Sequence, residues 1–151
     1  MAARTGVARS RCYDPGMQDP TAATPIRIDA DRAAGSVRLE WADGHVSAYD
    51  APTLRWLCPC AYCRGEAGQP GWLDTNPTLT PDQVRLVDVA LVGQYAIQPT
   101  WGDGHQTGFH SFALLRDRCP CAACTRARAQ RHTGQAAPAA PPDGHSHGGD
   151  R

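Results

Sequence analysis

The sequence predicts a small α+β domain made of two pseudo-symmetric strand–hairpin–helix repeats that carry a zinc-type Cys/His site. The segment W-A-D-G-H at residues 41–45 recurs as W-G-D-G-H at 101–105. A three-cysteine segment follows each copy, C-P-C-A-Y-C at 58–63 and C-P-C-A-A-C at 119–124. A repeat of this length indicates two similar units that pack as halves of one domain.

The first copy is typical of a β-hairpin. Residues 36–41 alternate between polar and apolar side chains, Asp43-Gly44 is a strong turn signal, and residues 45–49 form the return strand. A two-residue turn at Asp43-Gly44 sets Ala42 opposite His45 and puts His45 away from the main apolar face. That face then combines apolar side chains from both strands: Val37, Leu39, Trp41, Val46 and Ala48.

A short helix follows each hairpin and leads to the first cysteine of each cluster. In the first copy this helix covers residues 52–57 and has proline in its first turn. The second copy repeats the plan, with predicted strands at 86–91 and 95–101, a turn at Asp103-Gly104, a return strand at 106–111 and a helix at 112–118. Trp41 and Trp101 are then equivalent core residues. The Gly/Pro-rich residues 64–83 form a connector between the copies.

We expect a folded domain over residues 25–128 with a disordered segment on either side. Residues 1–24 carry scattered Gly, Pro, Ala and Arg, and Cys12 within them is interpreted as incidental. Residues 129–151 form a tail rich in Ala, Pro, Gly and His, which has too little apolar surface to become ordered. His145 and His147 in this tail are expected to be inert.

The composition excludes several classes of function. The chain has 15 basic and 15 acidic residues, and every basic residue is arginine. Without lysine the chain has no GxxxxGK[ST] nucleotide-binding loop and no Schiff-base chemistry. There is no apolar run of ~18 residues and no apolar segment after the N-terminal arginines, so we expect neither a membrane span nor a secretory signal, and we expect a cytoplasmic protein.

The two cysteine clusters predict metal binding. Cys58, Cys60 and Cys63 fall within six residues, and thiolates at this spacing can share one Zn²⁺ at Zn–S distances of about 2.3 Å. In a cytoplasmic protein, closely spaced cysteines are more often metal ligands than disulfides. Thiol redox chemistry and inert buried cysteines remain the alternatives.

A histidine is needed to complete a Cys₃His tetrahedron, and the hairpin of the other copy is the better source. A return strand and a helix separate each cysteine cluster from its own hairpin by roughly 10–15 Å. The prediction is therefore crossed, with His105 joining Cys58, Cys60 and Cys63. A second, weaker candidate site combines His45 with Cys119, Cys121 and Cys124. The alternative for both histidines is a surface position beside a turn, whereas His110 is expected to have a packing role.

Two segments resemble the gamma-butyrobetaine hydroxylase-like N-terminal domain family, namely L-R-W-L-C-P-C-A-Y-C (54–63) and V-G-Q-Y-A-I-Q-P-T-W-G-D-G-H-Q-T-G-F-H-S-F-A-L-L-R (92–116). The resemblance covers roughly residues 25–125 and implies a small two-layer α+β unit. Such domains occur alone in bacteria, in front of 2-oxoglutarate/iron hydroxylases that act on betaines, and attached to iron–sulfur carrier proteins. The resemblance also implies a zinc module in which the ligands are Cys58, Cys60, Cys63 and His105. The second cysteine cluster is less widely shared in the family.

Three functions follow as hypotheses. The first is a non-catalytic zinc module that binds another protein, such as a hydroxylase or an iron–sulfur carrier. The second is an accessory protein that binds iron or an iron–sulfur cluster, since thiolates bind zinc and iron alike. The third is a part of a 2-oxoglutarate/iron hydroxylase system.

We do not expect an enzyme, because none of the six histidines begins an H-x-[DE] motif. We also do not expect a nucleic-acid partner, because a solvated helix face explains the arginines at 116, 118, 126, 128 and 131.

Overall fold

The computed structural model describes residues 22–76 and 78–134. Cys12, His145 and His147 lie outside the described residues, as does most of the predicted lead-in and tail. The fold is α+β, as predicted, with two three-stranded antiparallel sheets and several short helices. In the described part of the chain, no helix is both long enough and apolar enough to cross a bilayer.

The N-terminal half, residues 22–64, is a three-stranded meander followed by two short helices. Strands β1 (Pro25–Asp31), β2 (Ser36–Trp41) and β3 (Val46–Asp50) pair in the order β1-β2-β3. Helices α1 (Ala51–Trp56) and α2 (Ala61–Arg64) then carry the chain through the first cysteine cluster. Helix α1 begins here because the Asp50 side chain accepts a hydrogen bond from the backbone N–H of Thr53 and proline lies in the first turn.

The connecting segment, residues 65–85, is more structured than the predicted connector. It contains a two-stranded hairpin of β4 (Gly65–Glu66) and β5 (Gln69–Pro70), helix α3 (Trp72–Thr75) and a 3₁₀ turn at Asp82–Val84. The hairpin folds back on the cysteine cluster so closely that a Cβ atom at Gly71 would lie 2.2 Å from the carbonyl oxygen of Cys63. Glycine at this position is therefore required for the close approach of the two backbones.

The C-terminal half, residues 86–134, repeats the first plan. Strands β6 (Leu86–Val92), β7 (Ala96–Trp101) and β8 (His110–Ser111) form the second meander, and α4 (Phe112–Asp117) and α5 (Ala122–Gly134) follow. The Ser111 side chain caps α4 by accepting from the N–H of Leu114, as Asp50 does for α1. The two sheets also share an irregularity in strand pairing. The register shifts just after the pair Pro25↔Trp41 in the first sheet and just after the pair Leu86↔Trp101 in the second.

The predicted two-residue hairpin turn is wrong. The backbone N–H of Trp41 donates to the carbonyl of His45 at 2.9 Å, so the loop has three residues and ends on Gly44 in the left-handed region at φ +81°. The extra residue moves every side chain of β3 to the opposite face. Ser47 and Tyr49 therefore point into the core and Val46 and Ala48 do not, which reverses the prediction. His45 is 3% exposed, on the buried face rather than away from it.

Two predicted boundaries in the second half also differ from the structure. The return strand predicted at 106–111 pairs only at His110–Ser111, because residues 106–109 form an irregular segment after the turn. Helix α5 continues to Gly134, whereas the tail was predicted to begin at 129. Alanine and arginine, both strong helix formers, dominate this stretch, and the Arg128 side chain anchors it by donating to the carbonyls of Asp117 and Cys119.

One hydrophobic core joins the two halves. Trp41 and Trp101 are both buried in it, as predicted for equivalent residues. Two hydrogen bonds cross between the halves in matching positions: the Tyr49 hydroxyl donates to the carbonyl of Leu115, and Nε2 of His110 to that of Leu54 at 2.9 Å. The buried members of the core come from both halves: Val37, Leu39, Trp41, Tyr49, Ala51, Leu54, Leu86, Ile97, Trp101, Phe112 and Leu115. The halves are thus a single folding unit.

Candidate metal centres

Two groups of cysteine and histidine side chains converge, and each group combines residues of both halves. Site one comprises Cys58, Cys60, Cys63 and His105, and site two comprises His45, Cys119, Cys121 and Cys124. Within each group all four possible ligand atoms lie within 4.8 Å of one another. The structure thus brings together the residues paired in the sequence analysis, with each histidine placed beside the cysteines of the other half.

The atoms of site one stand at separations that suit one tetrahedral ion. Nε2 of His105 lies 3.3 Å from Sγ of Cys58 and 3.6 Å from Sγ of both Cys60 and Cys63, and the sulfurs of Cys58 and Cys60 are 3.5 Å apart. Zinc with Zn–S bonds of about 2.3 Å and Zn–N bonds of about 2.0–2.1 Å places nitrogen and sulfur about 3.6 Å apart in a regular tetrahedron. The residues therefore fit such an ion without rearrangement.

Local backbone structure holds the cysteines of site one in place. Helix α2 starts at the second cysteine, and the N–H groups of Cys63 and Arg64 donate to the carbonyl of Cys60 at 3.1 and 3.0 Å. The Arg64 side chain donates to the carbonyl of Cys58 at 3.0 Å. Gly108 approaches from the other half, where an added Cβ atom would lie 2.5 Å from Sγ of Cys58. In the folded protein these hydrogen bonds and the close approach of Gly108 hold the cysteine loop together.

Site two has the same plan and is more deeply buried. Nε2 of His45 lies 3.2 Å from Sγ of Cys119, 3.9 Å from Sγ of Cys121 and 3.8 Å from Sγ of Cys124. Arg128 donates to the carbonyl of Cys119 at 3.0 Å, which matches the bond from Arg64 in site one. His45, Cys119 and Cys124 are buried, whereas in site one only Cys58 and Cys63 are.

A buried arginine and an aspartate support each histidine, a feature that the sequence analysis missed. At site one, Asp103 accepts hydrogen bonds from the backbone N–H of His105 at 3.1 Å and from the Arg55 guanidinium at 3.0 Å. Arg55 also lies over the Trp101 ring, 5.6 Å from its centre. Each arginine belongs to the half that supplies the cysteines, so this contact also crosses between halves. The repeated L-R and D-G-H segments were the signal for it.

The same support recurs at site two with additional bonds. Asp43 accepts from the N–H of His45 at 3.0 Å and from Arg116 at 2.8 Å, and Arg116 lies over the Trp41 ring at 5.8 Å. Arg116 also donates to the carbonyl of Ala22 at 3.1 Å and reaches Sγ of Cys124 at 3.9 Å. The corresponding Nε and Nη1 atoms of Arg55 have no hydrogen-bond partner among the described residues.

The electrostatics of both sites favour neutral imidazoles, which is the form that binds metal. Burial lowers the pKa of His105 and of His45, and the neighbouring arginine, Arg55 or Arg116, lowers it further. Nδ1 of His45 is buried without a hydrogen-bond partner among the described residues. A protonated ring would therefore be poorly accommodated at either site.

The thiols differ within each cluster. Burial raises the pKa of Cys58 and of Cys63, so without an ion these thiols stay protonated at neutral pH. In site one the middle cysteine, Cys60, is the one thiol of the three whose pKa is lowered, and at site two the pKa of the equivalent Cys121 is lowered as well. Burial opposes the shift, yet hydrogen bonds lower the pKa of Cys60, mainly from the Thr107 hydroxyl, and that of Cys121, mainly from the backbone of Cys124. Cys60 and Cys121 therefore lose their protons more readily than an ordinary cysteine thiol, and metal binding would displace the thiol protons that remain.

The two sites have different covers. At site one the ring of Tyr62 is stacked on Trp72, 6.3 Å between centres, and lies 6.1 Å from the ring of His105. Tyr62 is 61% exposed, so this aromatic cover faces solvent. At site two the long helix α5 takes the place of the connecting segment.

Two further residues singled out from the sequence are also buried. His110 lies between the carbonyls of Leu54 and Gly108, and Arg116 is buried and so does not belong to an exposed basic surface.

Comparison with known proteins gives one family match. The model of the family described as gamma-butyrobetaine hydroxylase-like, N-terminal, matches residues 28–116. This range contains all four residues of site one together with His45, and it ends before the second cysteine cluster.

The chain is also similar to individual proteins. The gamma-butyrobetaine dioxygenase of Pseudomonas sp. (strain AK-1) is 32% identical over 87 residues, which are 58% of this chain and 22% of that enzyme. A crystal structure at 1.93 Å of an Acidithiobacillus ferrooxidans ATCC 23270 protein of unknown function, from the domain-of-unknown-function 971 family, is 31% identical. The similarity covers 64% of this chain and 92% of that one, with a TM-score of 0.47. An NMR solution structure at 20% identity covers 76% and 83%, with a TM-score of 0.49.

Proposed function

The chain belongs to the gamma-butyrobetaine hydroxylase-like, N-terminal, family, and from that premise we propose that it is a small non-catalytic zinc module that accompanies another protein. Cys58, Cys60, Cys63 and His105 hold the ion. The ion supplies the positive charge that keeps three neighbouring thiolates together. Its structural effect is to fasten the N-terminal half, which gives the sulfurs, to the C-terminal half, which gives the imidazole.

One observation carries this proposal: four ligand atoms of site one lie within 4.8 Å of one another. Four protein ligands complete a zinc tetrahedron, whereas catalytic zinc sites keep one position open for water or substrate. A closed site stabilises a fold, and in small domains the free energy of metal binding contributes directly to the free energy of folding. This is why we propose a structural role for the ion.

The same spacing favours a single ion over an iron–sulfur cluster. In a cubane cluster each thiolate binds a different iron atom, which separates the sulfurs more widely than one shared ion does. The sulfurs of Cys58 and Cys60 are 3.5 Å apart and His105 lies between 3.3 and 3.6 Å from all three sulfurs. A single iron is the alternative occupant that fits the same four atoms.

A protein partner is supported by two features. The matched segment makes up only 22% of the gamma-butyrobetaine dioxygenase from Pseudomonas, so in that protein it accompanies a much longer chain. In this chain, the exposed Tyr62 on its Trp72 support gives site one an aromatic surface, and aromatic side chains are enriched where proteins bind each other. We therefore place the partner's contact on the site-one face.

The test is native mass spectrometry of the full chain purified without oxygen. Zinc should be bound, and Cys60→Ser should remove the ion of site one and lower the melting temperature. Cys12→Ser is the matched control, because Cys12 is the one cysteine outside both groups. Iron with acid-labile sulfide in the purified protein, or full metal content in Cys60→Ser with an unchanged melting curve, would overturn the proposal.

A further inference from the structure

We propose that His45, Cys119, Cys121 and Cys124 bind a second metal ion, and that the two ions bind with positive coupling because each bridges both halves. The inference rests on the proposed function of site one. It goes beyond the family match, which ends at residue 116 and leaves out all three cysteines of site two.

The geometry of site two supports an ion. The distances from Nε2 of His45 to the three sulfurs, 3.2, 3.9 and 3.8 Å, lie around the value of about 3.6 Å for a zinc tetrahedron. No disulfide joins the cysteines among the described residues. Packing alone does not explain why three thiols surround one ring nitrogen, since a buried polar nitrogen needs a stronger partner than a thiol.

The support around site two is an independent observation. Asp43, Arg116 and Trp41 reproduce the arrangement of Asp103, Arg55 and Trp101 at site one. Groups around a metal ligand orient it and tune its affinity, so an intact copy of this support indicates an intact copy of the site. Three thiolates and one divalent ion leave a net charge of −1. The Arg116 guanidinium, which reaches Sγ of Cys124 at 3.9 Å, partly offsets that charge.

The coupling follows from the crossed arrangement. An ion in either site ties sulfurs of one half to an imidazole of the other, and so fixes the same relative position of the halves. The ion pairs Arg55–Asp103 and Arg116–Asp43 cross between halves in the same way. Once one ion is bound, the ligands of the empty site already stand in place, so the second ion orders less of the protein. Thermodynamic linkage makes the effect reciprocal.

The number of sites is tested first. Native mass spectrometry of the full chain, prepared without oxygen and loaded with zinc, should show two ions per chain in wild type and in Cys12→Ser. One ion should remain in Cys121→Ser and in His45→Gln, and one in Cys60→Ser. A wild-type protein with a single ion that Cys60→Ser removes and Cys121→Ser leaves in place would overturn the second site while the proposed function stands. A Cys60→Ser protein that keeps as many zinc ions as wild type would instead contradict the proposed function.

The coupling is tested by adding zinc to the metal-free chain at half of saturation. The expected spectrum shows chains with no ion and chains with two ions, and few chains with one. In Cys121→Ser and His45→Gln, the affinity of site one for zinc should fall by about 5- to 150-fold, the usual range of coupling between sites. His45→Gln serves if Cys121→Ser does not fold. A random distribution of ions, together with an unchanged affinity of site one in a folded site-two variant, would overturn the coupling.

Discussion

Site one and site two share their ligands and their supporting residues but differ in what covers them. At site one the exposed Tyr62 ring is stacked on the half-buried Trp72, whereas at site two the cysteine cluster runs directly into the long helix α5. Arg116 at site two bonds to a carbonyl and reaches a sulfur in addition to Asp43, whereas the same atoms of Arg55 at site one have no partner among the described residues. The duplicated residues thus build the two groups of four possible metal ligands, whereas the segments that are not duplicated determine which side chains surround each group.

The largest expected difference between the two sites comes from removing one histidine at a time. His105→Ala should empty site one, and His45→Ala should empty site two, because each supplies the only nitrogen ligand of its group. We expect His105→Ala to have the larger effect on the zinc content of site one, and to lower thermal stability by an amount of the order of several kcal/mol, since structural zinc contributes ~10–16 kcal/mol in small domains.

The measurement is metal content and a melting curve for each variant beside wild type. Which cysteines lose their ion can be read from alkylation of the freed thiols followed by peptide mapping. Reactive Cys119, Cys121 and Cys124 in His105→Ala, with Cys58 still protected, would show that each histidine serves its own half and that the crossed arrangement is wrong.

The next effect concerns the buried arginines. Arg55→Met and Arg116→Met keep an unbranched apolar stem in place of the arginine stem but leave Asp103 and Asp43 without their cation. Removing one partner of a buried ion pair costs about 3–5 kcal/mol, and less here because the aspartates are about a quarter exposed. Arg116→Met should be the more destabilising, since it also loses the bonds to Ala22 and Cys124. Denaturant unfolding of both variants compares the two values, and equal losses would mean that those extra bonds contribute nothing.

A smaller change acts on site one alone. Gly108→Ala places a methyl group 2.5 Å from Sγ of Cys58, so the sulfur or the loop must move. Such overpacking costs about 1–3 kcal/mol. We expect the zinc affinity of site one to fall by roughly ten- to a hundredfold, since 1.4 kcal/mol is a factor of ten. Site two in the same protein is the internal control, and equal weakening of both sites would place the effect in the overall fold.

The smallest expected effect is on the pH dependence of stability, and it comes from His110 and Tyr49, which occupy equivalent positions in the two halves. Burial lowers the pKa of His110 from 6.5, whereas Tyr49 bonds the equivalent carbonyl with a hydroxyl that does not titrate near neutrality. Below pH ~6.5 the unfolded chain binds a proton at His110 that the folded chain does not. His110 should therefore lower stability as the pH falls from 7 to 5, by at most ~1.4 kcal/mol per pH unit.

His110→Tyr is the matched variant for this prediction, because it gives the second half the residue of the first. Urea unfolding at pH 7, 6 and 5 should show a shallower loss of stability for His110→Tyr than for wild type. The ligand histidines titrate in both proteins, so their contribution cancels in the comparison. Parallel curves would mean that His110 is protonated in the folded protein.

The crossed pairing of ligands could be predicted from the sequence because it depends on distances along the chain. A strand and a helix separate His45 from Cys58, and no local bend removes that separation. The register of the hairpins could not be predicted, since Asp-Gly suits both a two-residue and a three-residue loop. The structure adopts the longer loop, in which the Asp43 carboxylate accepts from the N–H of His45.

Contacts between distant segments were also beyond the sequence analysis. Arg55 and Asp103 are far apart in the chain, and only the duplication of both motifs hints that they meet. The end of α5 was missed because its alanines and arginines resemble the composition of the tail, while the bonds from Arg128 that anchor the helix exist only in the folded protein.

Duplicated domains commonly tolerate the loss of one copy, since the remaining copy keeps its own set of ligands. Here the exchange of histidines between the halves removes that tolerance. A fragment that ends before Trp101 has three sulfurs at site one with no imidazole, and a solitary His45 with no sulfurs. Deleting either repeat therefore removes ligands from both groups at once, so neither repeat alone can supply a complete set of four.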